Sequence, residues 1–194
     1  MSETHLVLGT DIRGPWPQGT EVIYFGMGCF WGAEKKLWNL PGVVSTAVGY
    51  MGGTASDPTY PLVCTGSTGH SEIVLVAYDP TKTSIYDLLK CFWENHDPTQ
   101  GNRQGNDIGT QYRSAVYWTT PQQEKWVSES RNAYNDVLIG KGFDPITTEI
   151  APATNFKFWY AEEYHQQYLI KNPNGYDCHA HTGILLPEIA TLSS

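Results

Sequence analysis

Residues 22–40 hold the feature that most restricts the fold: an apolar run that passes through glycines straight into a helix-spaced segment. Residues 22–25 are apolar and are closed by Gly26 and Gly28, and from Trp31 to Leu40 the apolar residues recur at helical spacing. A strand therefore turns directly into a helix, which Pro41-Gly42 stops. Residues 43–49 and 71–78 read as further strands, the second with Val74 and Val76 on one face, and residues 50–70 as the loop between them. Ser84 opens a second helix. Ile85, Leu88, Leu89 and Phe92 form its apolar stripe, Asp87 completes a capping box, and its end falls near His96. Residues 97–112 are Gly-rich and polar, 114–118 read as a strand, and Thr120-Pro121 with Gln123 announces a third helix reaching Gly140. Residues 146–150 read as one more strand. The order strand, helix, strand, strand, helix, strand predicts an α+β protein with a ferredoxin-like two-layer βαββαβ core, an appended helix and a loop-rich C-terminal tail.

The 194 residues are enough for one sizeable core, and no linker-like composition shift, repeat or low-complexity run divides them. The expectation is a single domain over 1–194, with an N-terminal extension over 1–20 and a mobile tail over 172–194. A net charge of -8 argues against nucleic acid and anionic membrane surfaces, both of which reward clustered cations. Residues 1–18 lack the basic start and apolar run of a signal peptide, and no segment is long and apolar enough to span a bilayer. The cysteines, Cys29, Cys64, Cys91 and Cys178, are far apart and form no CxxC pair, as expected of reduced thiols in a cytoplasmic protein. A monomer is expected.

Chemistry concentrates at Cys29. It sits in Gly28-Cys29-Phe30-Trp31-Gly32, where the strand-to-helix turn would put the sulfur at a helix N-terminus, a placement that lowers a thiol pKa. Read alone, a cysteine in such a turn is equally a small buried apolar residue. Phe30 and Trp31 offer apolar walls for a small group and can serve as a helix packing face as well. Glycines 101, 105 and 109 do not make a phosphate cradle, because no Gly-Lys-Ser/Thr follows and no dinucleotide fingerprint precedes them.

The pentapeptide resembles the active-site signature of the A-type peptide methionine sulfoxide reductases. Further blocks follow in that family's order: Gly49-Tyr50-Met51-Gly52-Gly53, Pro58-Thr59-Tyr60, Thr68-Gly69-His70-Ser71-Glu72, His96-Asp97-Pro98-Thr99 and residues 102–114. The resemblance covers about residues 22–178 and implies reduction of methionine S-sulfoxide, free or in proteins. It implies that Cys29 attacks the sulfoxide sulfur while a neutral Glu72 protonates the departing oxygen. Burial beside Phe30 and Trp31 would keep Glu72 neutral, and it should titrate with Cys29 as a coupled pair. Tyr60 and Tyr112 match tyrosines that donate to the sulfoxide oxygen, Phe30 and Trp31 the walls around its methyl group, and Asp107 a carboxylate on the substrate's backbone side; Tyr176 would close the pocket.

Attack leaves Cys29 as a sulfenic acid, which a second thiol must resolve. The resemblance gives that role to Cys178 in the tail, with the disulfide then opened by thioredoxin, or by dithiothreitol in vitro. No cysteine follows Cys178, so no second relay thiol is expected; Cys64, in the pocket-side loop, or Cys91, on a helix, could substitute as resolver, though both read as structural. No prosthetic cofactor is implied. Two rival readings compete. In one, Cys178, His179 and His181 with His70 or His96 hold zinc, though their spacing fits no common zinc module. In the other, His70 or His165 makes Cys29 a hydrolytic nucleophile, though no oxyanion hole is marked.

Overall fold

The computed structural model describes residues 3–178 and 180–189. In chain order the elements are β1 (Glu21–Met27), α1 (Phe30–Trp38), β2 (Val43–Met51), α2 (Tyr60–Cys64), β3 (Ser71–Tyr78), α3 (Ile85–Glu94), β4 (Arg103–Gln104), β5 (Asp107–Ile108), β6 (Ser114–Trp118), α4 (Pro121–Gly140), β7 (Glu149–Pro152), β8 (Trp159–Tyr160) and α5 (Tyr168–Lys171). Short 3-10 turns occupy Thr110–Tyr112, Ala153–Asn155 and Glu163–His165. The protein is thus a mixed α/β structure built on a six-stranded sheet of order β7-β6-β1-β3-β2-β8, with β4-β5 as a separate two-stranded hairpin. Neighbouring strands of the large sheet are antiparallel except for the edge pair β6 and β7.

Side-chain alternation sorts the sheet into two covered faces. Ile23, Phe25 and Met27 of β1 join Val48, Val74, Val76 and Val116 on one face. There they pack against Ala33 and Leu37 of α1, Leu88 and Phe92 of α3, and Val127, Tyr134 and Leu138 of α4. The Phe25 and Phe92 rings stack with centroids 5.1 Å apart across this interface. The other face carries Ala47, Leu75 and Ala77, covered by Ile12 and Trp16 of the N-terminal segment and by Phe158 and Tyr160. All eight residues of β3 are buried because both of its faces are covered.

Local signals explain the well-read elements. Ser84 accepts from the Asp87 backbone N–H while the Asp87 carboxylate accepts from the Ser84 N–H at 3.2 Å, so the capping box forms. Thr120 caps α4 ahead of Pro121, and the helix ends at Gly140. Three readings need correction. Residues 50–70 are not all loop, since Tyr60–Cys64 forms a helix that starts with Pro61 in its first turn. The strand expected over 146–150 is Glu149–Pro152, and Trp159–Tyr160 adds an edge strand that no periodicity announced. The tail is not free over its described length: Tyr134 donates to the Ile184 carbonyl at 2.9 Å, and the Leu186 N–H donates to Glu94 at 2.8 Å.

Candidate active site

The β1-to-α1 turn depends on its first glycine. Gly28 has φ +85, and a Cβ there would lie 2.6 Å from the Gln104 side chain, so both backbone and space require glycine. Cys29 follows as the N-cap of α1 with φ -53, and it is only 7% exposed. The helix's first N–H, on Phe30, donates to Glu72 Oε2 at 3.0 Å. Glu72 is the second residue of β3, paired with Tyr50 of β2, so the central strand delivers a carboxyl group to the N-terminus of the neighbouring helix.

Burial decides the electrostatics of this pair. Glu72 is almost fully enclosed, and desolvation pushes its carboxyl up to about 8, against the opposing pull of the Phe30 N–H bond. The Cys29 thiol is also pushed up, first by burial and then by the negative charge of Glu72, while a hydrogen bond from the Trp31 backbone opposes this and loses. This runs against the sequence expectation of a lowered thiol pKa, because burial of the sulfur outweighs the helix N-terminus. Tyr60 and Tyr112 are raised as well, chiefly by burial and then by Glu72, so both hydroxyls stay protonated donors.

Cys29, Phe30, Trp31, Tyr60, Glu72, Asp107, Tyr112 and Tyr176 line one cavity of about 60 Å³. Each comes from a different local device. Tyr60 starts α2, whose first N–H donates to Glu162 Oε1 at 2.8 Å, and the same carboxylate accepts the Tyr50 hydroxyl at 2.7 Å. Tyr112 ends a 3-10 turn tied to β3 by the Ser71 hydroxyl, which donates to the Gln111 carbonyl at 3.0 Å. Trp31 is held edge and face: its indole N–H donates to His165 Nδ1 at 2.9 Å, and its ring stacks on Tyr168 with centroids 3.8 Å apart. The Tyr176 hydroxyl donates to Asp107, 3.1 Å from both carboxylate oxygens.

Cys178 stands outside that lining, in a neighbouring surface groove with Gly105, Asn106, Tyr176, Asp177 and Ala180. Its thiol faces the Gln104 carbonyl at 3.9 Å. Cys64 is exposed at the end of α2 and Cys91 is buried in α3; all four cysteines are free thiols.

The histidines count against the hydrolytic rival. His70 accepts the Gly53 N–H at Nδ1 and is bonded through Nε2 to the Ala55 carbonyl at 2.7 Å, so its ring is spent on holding a loop. His165 accepts the Trp31 indole N–H at Nδ1, which leaves Nε2 protonated, and burial pulls its pKa down to about 4. Neither ring has a lone pair free for a thiol proton. His96 is bonded to the Phe92 carbonyl and the Ser114 hydroxyl. No cluster able to hold a metal occurs among the described residues, and His179 lies outside them.

A supporting layer escaped the sequence reading. Glu162, Tyr50 and Tyr168 anchor the walls, and Gln104 packs beneath Gly28, its amide exchanging two 2.8 Å bonds with the Asp97 backbone. These contacts join segments far apart in sequence. The only signal was the polar, aromatic run at residues 160–168, which carries no period.

Comparison with known proteins converges on one group. The family model described as Peptide methionine sulfoxide reductase matches residues 21–190. The chain is 56% identical over 189 residues to peptide methionine sulfoxide reductase MsrA of Salinispora arenicola, covering 96% of this chain and 85% of that relative. Among solved structures, methionine sulfoxide reductase A of Corynebacterium diphtheriae is similar with a TM-score of 0.86 and 49% identity, over 97% of this chain and 91% of the other. Mxr1 from Saccharomyces cerevisiae in its reduced form gives a TM-score of 0.75 and 35% identity, over 89% and 95%.

Proposed function

The chain belongs to the peptide methionine sulfoxide reductase family, and from that premise we propose how its own residues reduce methionine S-sulfoxide to methionine. One observation carries the reading: the Cys29 thiol and the Glu72 carboxyl share a small cavity with two aromatic walls and two protonated tyrosine hydroxyls.

The sulfoxide methyl group packs against Phe30 and Trp31, and its oxygen takes hydrogen bonds from Tyr60 and Tyr112. Asp107 and Tyr176 face the substrate's backbone side. Cys29 sulfur attacks the sulfoxide sulfur while the Glu72 proton goes to the oxygen, which then passes to Cys29 as hydroxyl. The balance is a thiol plus a sulfoxide giving a sulfenic acid plus a thioether; Glu72 recovers its proton from the original thiol. The thiol of Cys178 then attacks the sulfenic sulfur, forming the Cys29–Cys178 disulfide and releasing water. Thioredoxin, as a dithiol, reduces that bond by exchange, with dithiothreitol able to substitute. No prosthetic group enters any step.

The same reading covers organisation. Residues 1–194 are read as one domain with a ferredoxin-like two-layer core extended at its edges by β7 and β8, a reading that the strand order β6-β1-β3-β2 supports. We read the protein as a monomer of the reducing cytoplasm, where free thiols persist. The decisive experiment is Cys29→Ser assayed with each sulfoxide epimer and dithiothreitol. Wild type should consume the S epimer and the variant neither, since a serine hydroxyl supplies almost no anion at neutral pH. Multiple turnovers by the variant would remove Cys29 from its role.

A further inference from the structure

The geometry points to Asp177 as a positioning residue for the resolving step: clasped by Lys35 over a notch at Gly32, it holds residues 176–178 so that Cys178 waits beside the Cys29 turn. This rests on the proposed role of Cys178 as the resolving thiol. Lys35 Nζ lies 3.4 Å from Asp177 Oδ2. The other carboxylate oxygen, Oδ1, is buried with no hydrogen-bond partner among the described residues and lies against Gly32, where an added Cβ would approach it to 2.5 Å. Glycine at this helix position leaves room for the tail. On the opposite side, a Cβ on Gly105 would come within 2.9 Å of Ala180 and 3.7 Å of the Cys178 sulfur.

The tail segment thus runs through a slot walled by two glycines. Three contacts fix it: Tyr176 to Asp107, Asp177 to Lys35 and the Cys178 thiol to the Gln104 carbonyl. Gln104 also packs under Gly28, the residue before Cys29, so one side chain separates the resolving thiol from the turn that carries the nucleophile. An orphaned carboxylate oxygen costs stability. Its place here is consistent with a device that raises the local concentration of one thiol near another.

The step it serves is balanced: Cys178 sulfur bonds to the Cys29 sulfenic sulfur, the S–O bond breaks, and the hydroxyl leaves as water with the thiol proton. Sulfoxide has already supplied the oxidising equivalents. Asp177 touches neither reacting atom, so it should act on this step alone.

The test is a single turnover without reductant, quenched at intervals, with methionine and the Cys29–Cys178 peptide disulfide both measured by mass spectrometry. Asp177→Asn and Lys35→Met should leave the methionine burst unchanged and slow disulfide formation roughly three- to fivefold, the reach of one partly exposed ion pair. The charge-swapped double variant, Lys35→Asp with Asp177→Lys, should regain part of the lost rate. Disulfide formation at the wild-type rate in both single variants would overturn the inference. So would a burst that falls in step with it, which would signal general damage. Cys178→Ser separates the two levels: an intramolecular disulfide still forming there, through Cys64 or Cys91, would remove Cys178 as resolver and the clasp with it.

Discussion

Glu72 shows how one buried carboxyl ties protonation to rate. Its pKa of about 8 and the still higher one of Cys29 mean that both groups carry protons at neutral pH. In the proposed mechanism the reactive form has the thiol ionised and the carboxyl protonated, a minor partner of the state in which Glu72 alone is ionised. Its population climbs as the pair loses its first proton. The second-order rate of methionine formation should therefore rise with pH and level off above about 8. Glu72→Gln removes the transferable proton, so the rate should fall roughly a hundredfold or more at neutral pH and keep climbing above the wild-type plateau. A wild-type rate that fell steadily between pH 6 and 9 would assign attack to the neutral thiol. The same substitution has a stability signature. Glu72 has its folded pKa raised from 4.5 to about 8, so its contribution is fully present below 4.5 and is lost as pH rises through 8. Glu72→Gln should then melt at a higher temperature than wild type at pH 9 and show little gain at pH 4.

At the scale of elements, α1 and β3 bring the thiol and the carboxyl together, and α2, β5, a 3-10 turn and the tail complete the cavity around them. Helix α3 lies behind the core and contributes no residue to the cavity, so its cap can be removed without touching chemistry. Ser84→Ala should lower stability by about 1 kcal/mol. In a chain of this size that is roughly 2–4 °C in Tm, with kcat/KM unchanged; a loss of activity would show that α3 transmits to the site. This helix also marks what sequence could disclose. Ser71–Tyr78, Ser114–Trp118 and Pro121–Gly140 appear where their residue patterns put them, because alternation, caps and a first-turn proline are local signals. Tyr60–Cys64 and Trp159–Tyr160 did not, since five- and two-residue elements are stabilised by long-range bonds such as Glu162 to the Tyr60 N–H. Within the site, the lining residues were reached through motif resemblance. The thiol's raised pKa was not, because enclosure by residues from β3, α2 and the tail cannot be read from the turn that carries Cys29.

At the scale of the whole molecule, the sheet shelters one sulfur and the tail presents the other. Cys29 is buried, whereas Cys178 is half-exposed in an open groove that continues along Gly105 and Asn106. If the proposed Cys29–Cys178 disulfide forms, this exposure favours thiolate attack on the Cys178 sulfur, which would release Cys29. In the proposed cycle thioredoxin therefore approaches this groove itself. Cys178→Ser should consequently still reduce about one sulfoxide per enzyme in a rapid burst, because the sulfenic acid on Cys29 forms without a second thiol. Turnover driven by thioredoxin should then stall, while dithiothreitol, small enough to reach the sulfenic acid in the cavity, should sustain it. Cys64→Ser and Cys91→Ser should turn over like wild type with either reductant. Stopped-flow burst amplitudes and steady-state rates for the three variants check this, and the contrast between reductants is the informative quantity. Normal thioredoxin-driven turnover by Cys178→Ser, with a stall in Cys64→Ser, would move the resolving function from the tail to α2, where Cys64 shares a hydrogen bond with Tyr60.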